Sequence, residues 1–217
     1  MATIQEIITY ADRKYPNQET DANKVLDMND IHKNIFTKIS RLKNAYEIYD
    51  TDTIADQLTY TLPSDCLVSN IITIMVASTT ADITNSTVWN KCDFAGLNDN
   101  NEGGYFWGDG GGSVFSLVYD GLPLTLTGLS IRIFYYPEPA ELLSSALGET
   151  PDLDEYYHSL LKYALIQDLA SQGQNPDGEI ADYWQAKYDE FMKEIEEDLN
   201  NKYNQNPTTN NQIKEVW

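Results

Sequence analysis

The chain has 217 residues, enough to bury a core, and sets 34 acidic against 14 basic residues for a formal net charge of −20. That surplus argues against free nucleic acid and anionic membranes as partners; it serves either plain solubility or an acidic wall past which DNA moves without sticking. No apolar run is long enough to span a bilayer, Met1–Glu6 lacks the basic start of a signal peptide, and two cysteines, Cys66 and Cys92, suit a reducing cytoplasm while leaving one bridge open.

Thr3-Ile4-Gln5-Glu6 has the form of a capping box and opens a short helix through Ile7, Ile8 and Ala11, which ends before Pro16. After the polar stretch 17–23, a stronger helix is predicted from Asn29 or Asp30. Its buried stripe is Ile31, Ile35, Ile39, Leu42, Tyr46 and Tyr49. Lys33, Lys38, Arg41 and Lys43 make this the basic segment of an acidic chain. Two readings follow, pairing within the subunit or with water, and pairing with the acidic C-terminal hairpin of another copy.

Beyond Asp50 the period changes. Gln57–Leu62 alternates as a strand does, Cys66–Ala77 reads as a longer buried strand, and Ile83–Phe94 as another. Ser113–Tyr119 and Leu122–Tyr136 flank Asp120-Gly121, a two-residue hairpin signal, with Pro123 and Gly128 marking an edge or bulge. The centre is therefore a small antiparallel β-domain, a sandwich or open barrel.

Residues 150–199 read as two helices. Asp152 and Glu155 form a candidate capping box, and Leu153, Tyr157, Leu160, Ala164 and Leu169 follow at helical spacing, with Gly173 as the stop. Asn175-Pro176-Asp177-Gly178 makes the corner, with Asp177 free to cap a second helix striped by Ile180, Trp184, Tyr188, Phe191, Ile195 and Leu199. The two stripes bury each other in an antiparallel αα-hairpin. The tail from Asn200 is Asn-rich and too polar to fold alone, yet it finishes in Ile213, Val216 and Trp217, which suits an arm that becomes buried on a partner.

The domains expected are N-terminal helices (1–50), the β-domain (51–140), the C-terminal hairpin packed with the N-terminal helices (141–199) and an extended arm (200–217), an α+β architecture.

The chemistry-bearing residues point away from catalysis. His32 and His158 fit no zinc spacing with the cysteines, and no nucleophile elbow, P-loop or dinucleotide fingerprint occurs. Gly108–Gly112 precedes neither a Lys-Ser/Thr pair nor a helix. Asn98, Asn100, Glu102, Gly103 and Asp109 echo a calcium loop, but without flanking helices or the first aspartate the match reads as coincidence. No enzyme activity, cofactor or metal is expected. Tyr105, Phe106 and Trp107 sit between glycines as a candidate interface loop, with folding back over the β-domain as the plainer reading.

Three segments together resemble the head–tail connector (adaptor, or neck) proteins of tailed bacteriophages. They are Tyr60-Thr61-Leu62-Pro63-Ser64-Asp65-Cys66, Ile131-Arg132-Ile133-Phe134-Tyr135-Tyr136-Pro137-Glu138-Pro139, and the hairpin beginning Leu153-Asp154-Glu155-Tyr156-Tyr157-His158, and their order spans nearly the whole chain. The resemblance implies a structural virion protein at the capsid–tail junction, assembled in the host cytoplasm. It implies a homo-oligomeric ring, commonly a dodecamer, beneath the portal. Such a ring extends the channel for passing DNA, which it does not bind by sequence, and joins the capsid to further neck or tail proteins, with no membrane. Ile213, Val216 and Trp217 would contact the portal or a neighbouring subunit. The loop at 98–112 is longer than the family pattern. The other reading kept open is a carbohydrate- or receptor-binding β-module of a phage tail, with Tyr105, Phe106 and Trp107 as its platform.

Overall fold

Helix α1 (Ile4–Lys14) begins at the expected box: the Glu6 N–H donates to Thr3 Oγ1 at 3.2 Å and the Thr3 N–H donates to Glu6 Oε2 at 2.9 Å. In this computed structural model the described residues are 1–54, 57, 59–77, 87–91, 104–107, 114–119, 122–123, 128–172 and 176–204. Among the described residues the chain divides into two units, one of Met1–Asn44 with residues 139–204, the other of Ala45–Glu138.

The first unit is helical. Ile4, Ile7, Ile8 and Ala11 recur at one-turn spacing and all four are buried, so α1 turns a single stripe inward. Helix α2 (Asp21–Lys43) starts earlier than expected, because Thr20 caps it by accepting the Asn23 N–H at 3.2 Å. It also ends earlier. Asn44 takes the left-handed conformation (φ 50°) and closes the helix, so Tyr46 and Tyr49, expected on its buried stripe, lie beyond it, Tyr46 just before the next strand and Tyr49 on that strand. Val25, Met28, His32, Ile35 and Ile39 form its buried face.

A 3₁₀ turn at Glu155–Tyr157 leads into α3 (His158–Gln172), and the expected Asp152/Glu155 capping box does not form. Glu155 is drawn instead to the Met1 amine, 2.7 Å away. Leu160, Leu161, Leu165, Ile166, Leu169 and Ala170 are buried on nearly every side of α3, which makes it the central helix of this unit. Helix α4 (Gly178–Asn204) is capped by Asp177, whose Oδ1 accepts the Ile180 N–H at 3.1 Å; Gly173 and Asn175 lie outside the described residues. Its deepest side chains are Ala181, Met192, Ile195 and Leu199, while Trp184, Tyr188 and Phe191 are only partly buried. All four helices share one hydrophobic core. Asn29 locks the segment before α3, donating from Nδ2 to the Leu142 carbonyl (3.0 Å) and accepting the Leu142 N–H (2.7 Å).

The second unit is a sheet of β1 (Glu47–Asp52), β2 (Tyr60–Thr61), β3 (Ile71–Ala77), β4 (Thr87–Lys91), β5 (Gly104–Trp107), β6 (Val114–Tyr119), β7 (Leu122–Pro123) and β8 (Ser130–Tyr135). The strand order is β1-β8-β3-β4-β5-β6-β2, with β7 paired to β6, and β1 and β2 end an open path. Among the described residues pairing is antiparallel except for a short parallel contact of β4 with β5. The expected long strand from Cys66 is broken by a 3₁₀ turn at Val68–Asn70 before β3. The expected strand at Leu122–Tyr136 divides into β7 and β8, and Gly128 between them has φ +79°, a backbone that glycine adopts without strain. Tyr119 pairs with Leu122, so two residues connect β6 to β7 as the hairpin signal implied; Asp120 and Gly121 themselves lie outside the described residues. Ile131, Ile133 and Tyr135 alternate inward from β8, which lies between β1 and β3, and pack with Ile74, Val76, Phe115, Tyr60, Leu62 and Cys66.

Candidate interaction surfaces

The first two segments that carried the family resemblance meet in the β-unit. Tyr60 stacks on Phe115 with centroids 5.6 Å apart, Leu62 is buried, and the chain turns at Pro63, whose carbonyl accepts the Cys66 N–H at 3.0 Å. That turn aims Asp65 at β8. The Tyr135 hydroxyl donates to Asp65 Oδ1 at 3.1 Å and is also 3.3 Å from Glu47 Oε2, while the Glu138 N–H donates to the Asp65 carbonyl at 2.7 Å. Asp65 therefore ties both segments through side chain and backbone. Burial, first, and then the Asp65 charge hold the Tyr135 phenol well above its usual range. Burial likewise pushes the Cys66 thiol up to about 12, so it is a neutral core group. Cys92 lies outside the described residues.

The histidines are structural. His158 accepts the Ala2 N–H on Nδ1 (3.3 Å), and its Nε2 is 2.8 Å from the Leu153 carbonyl. His32 is buried edge-on to Phe36, and that burial lowers its pKa. Among the described residues no group of three or more His, Cys, Asp or Glu is placed to hold a metal, and no helix is long and apolar enough to cross a membrane.

Two basic residues of α2 pair inside the helical unit: Lys38 meets Glu196 at 2.6 Å, and Lys43 meets Asp154 while lying over the Tyr157 ring. Burial alone would lower the Lys43 pKa, but Asp154 raises it on balance. The intramolecular reading of these two cations is the one realised. Lys24, not singled out by the sequence reading, is 3 % exposed and reaches Asp12 at 2.7 Å.

Tyr105, Phe106 and Trp107 lie on strand β5 between β4 and β6, not in a loop, and their side chains are outside the description. Ile213, Val216 and Trp217 lie outside the described residues, as do the calcium-like spacing at 98–103 with Asp109 and the glycines 108–112.

Three surface features of the helical unit escaped the sequence reading. Between α3 and α4, Tyr156, Phe191, Tyr163, Trp184 and Tyr183 form a continuous row, with successive ring centroids 5.3, 6.4, 5.4 and 5.3 Å apart. On α1, Tyr10 has Arg13, Lys14 and Lys162 gathered over its ring at 5.6, 5.7 and 5.4 Å. An open cavity of about 280 Å³ is lined by Glu19, Leu26, Asp27, Asp168 and Leu169, and burial raises the pKa of Asp27 and Asp168, with neighbouring acids adding to it. Helical periodicity marks which face of one helix is apolar; it carries no signal for rings meeting across two helices.

The described chain is thus a helical unit and a sheet unit, with Tyr60–Cys66 and Ile131–Pro139 serving as structural joints of the latter. The chain belongs to the SU10 adaptor protein family, whose model matches residues 2–211, a family of structural adaptors of the bacteriophage virion. No curated protein matches it.

Proposed function

We propose that copies of the chain form a ring under the portal at the capsid–tail junction, extending the DNA channel and joining the capsid to neck or tail proteins. The observation that carries this reading is the extent of the family match, 2–211, which takes in both units and not one borrowed module. A net charge of −20 suits a wall that DNA must slide past, since like charges keep residence short, and no sequence-specific DNA contact is implied. Against a purified chain, tight and salt-sensitive duplex binding would contradict the channel role.

The tail supplies the anchor. Ile213, Val216 and Trp217 close an otherwise polar, Asn-rich segment, and they fit burial on the portal or an adjacent copy. Trp217 brings the largest apolar area and dominates, as aromatic anchors do, and a weak contact repeated around a ring gains avidity. Deleting Gln212–Trp217 is expected to leave the melting temperature nearly unchanged and abolish attachment to portal-bearing capsids. Truncated protein that still joins capsids normally would refute the anchor; capsids carrying the chain without a ring would refute the ring.

A further inference from the structure

The aromatic row and the cation cluster are both surface features, and neither belongs to the joints of the β-unit. Tyr156 and Tyr183, at the two ends of the row, are 55 % and 57 % exposed, so five rings run in contact from solvent to solvent along the α3/α4 seam. Large rings held by their neighbours present apolar area at little further ordering cost, which is the usual make-up of a binding hot spot. The flank of the row is acidic. Glu179 stands one turn before Tyr183, Glu194 one turn after Glu190, and α4 as a whole carries eight acids against three lysines. Lys187 lies beside Tyr183 and Tyr163 and is held by Glu190 at 2.8 Å, so it adds no net positive charge there.

The cation cluster has the opposite character. Arg13 and Lys14 are exposed in the last turn of α1, and Lys162 comes from α3 to the same Tyr10 ring. Three like charges around one ring repel one another, and an anionic partner relieves that repulsion. In a chain of net charge −20, two copies repel at long range and meet only where such a patch faces an acidic one.

We propose that the Tyr10–Arg13–Lys14–Lys162 patch of one copy docks on the acid-flanked aromatic row of α3 and α4 of a second copy. The two surfaces are different parts of the chain, so the contact is heterologous and propagates from copy to copy. Guanidinium and ammonium groups seated on Tyr183 and Trp184 faces between carboxylates gain both cation–π and charge pairing. The contact rests on the ring reading above and names its interface.

Sedimentation velocity over a concentration series tests it with charge-swapped pairs. Arg13→Glu with Lys14→Glu, and separately Glu179→Lys with Glu194→Lys, are each expected to weaken self-association by about tenfold or more. An equimolar mixture of the two variants is expected to recover it, because each then meets an oppositely charged face. All four positions are exposed, and circular dichroism checks that the helices remain; Tyr183→Ser, which leaves charge untouched, should weaken association as well. Wild-type protein that stays monomeric throughout, variants that associate like wild type, or a mixture no better than its parts would each overturn the contact. So would a cation-patch variant whose only defect is weaker salt-sensitive binding to duplex DNA. Unaltered rings on virus particles carrying the variants would reject this surface and leave the ring itself standing.

Discussion

Replacing Tyr135 by phenylalanine isolates the joint that ties the two motif segments of the β-unit. The ring is 3 % exposed and stays packed, so the change removes one oxygen from an otherwise unaltered core. That oxygen shares its proton between Asp65 at 3.1 Å and Glu47 at 3.3 Å, one charge-assisted interaction split two ways. Hydrogen bonds to charged groups contribute about 1.5–3 kcal/mol. Glu47 is exposed and Asp65 half-buried, so both carboxylates turn to water once the hydroxyl is gone, and the expected loss falls to about 1–2 kcal/mol. Urea unfolding at pH 7 measures it. A second arm uses pH. The folded phenol holds its proton well above the usual range, whereas the unfolded one releases it near pH ~10, so above that the unfolded state binds fewer protons and stability falls as pH rises. Each pH unit past ~10 costs wild type about 1.4 kcal/mol that the Tyr135→Phe variant does not lose. The gap between the two should therefore close by about pH 11. Equal stability at pH 7 would refute the assigned hydrogen bond, and a gap that stays constant to pH 11 would refute the raised phenol pKa.

Leu161 is wholly buried in the central helix α3, and Leu161→Ala is expected to cost about 2–5 kcal/mol in urea unfolding followed by far-ultraviolet circular dichroism, with a loss under about 1 kcal/mol contradicting its place in the core. Arg132 forks onto Asp50 across β8 and β1 with both contacts at 2.7 Å, but the Asp50 side chain is 44 % exposed, so Arg132→Gln should cost only about 0.3–1 kcal/mol. Because the Arg132 hydrogen bond holds the Asp50 pKa low, that contribution is present above the ordinary carboxylate range of ~4 and is lost as pH falls through the lower folded value. Unfolding curves for wild type and variant should converge at acid pH; a difference that grows there would contradict the pairing.

The helices were legible where side chains near in sequence decide. The Thr3 box, the Asp177 cap and the Ile195–Leu199 end of the last stripe each depend on residues within a few turns. Legibility failed where a distant group outbids a local one. Asp152 and Glu155 had the spacing of a capping box, but the Met1 amine captured Glu155, and His158 became the first residue of α3. Tyr46 and Tyr49 continued the helical phase of Ile35, Ile39 and Leu42, so nothing in the period announced that Asn44 would turn left-handed and leave Tyr46 before β1 and Tyr49 on it. Strand β5 was hidden by its glycines: Gly104 looks like a loop residue until β6 supplies four partners in register. The Trp184 ring, expected inside, is only partly buried because it joins the row on the seam. Partner-facing features of that kind join residues from separate helices, and no window along a single segment contains them.

The division of the helical unit into two stretches of chain has a consequence during synthesis. Helices α1 and α2 leave the ribosome first, but their core is completed by α3 and α4, which follow some ninety residues of intervening sheet, Ala45–Glu138. At about 5–20 residues per second the apolar stripes of Ile7, Ile8, Met28 and Ile35 wait roughly 5–20 s for their partners. The sheet that emerges in that interval is not a passive delay. Its first and last strands are β1 and β8, and Glu47 pairs with Tyr135, so once they zip together the nascent chain's two helical stretches resume from neighbouring points. Closing a loop of about ninety residues down to a handful lowers the later search by about 2 kcal/mol. The β-unit thus acts in time as well as in space, gathering the ends of a core that the order of translation had separated.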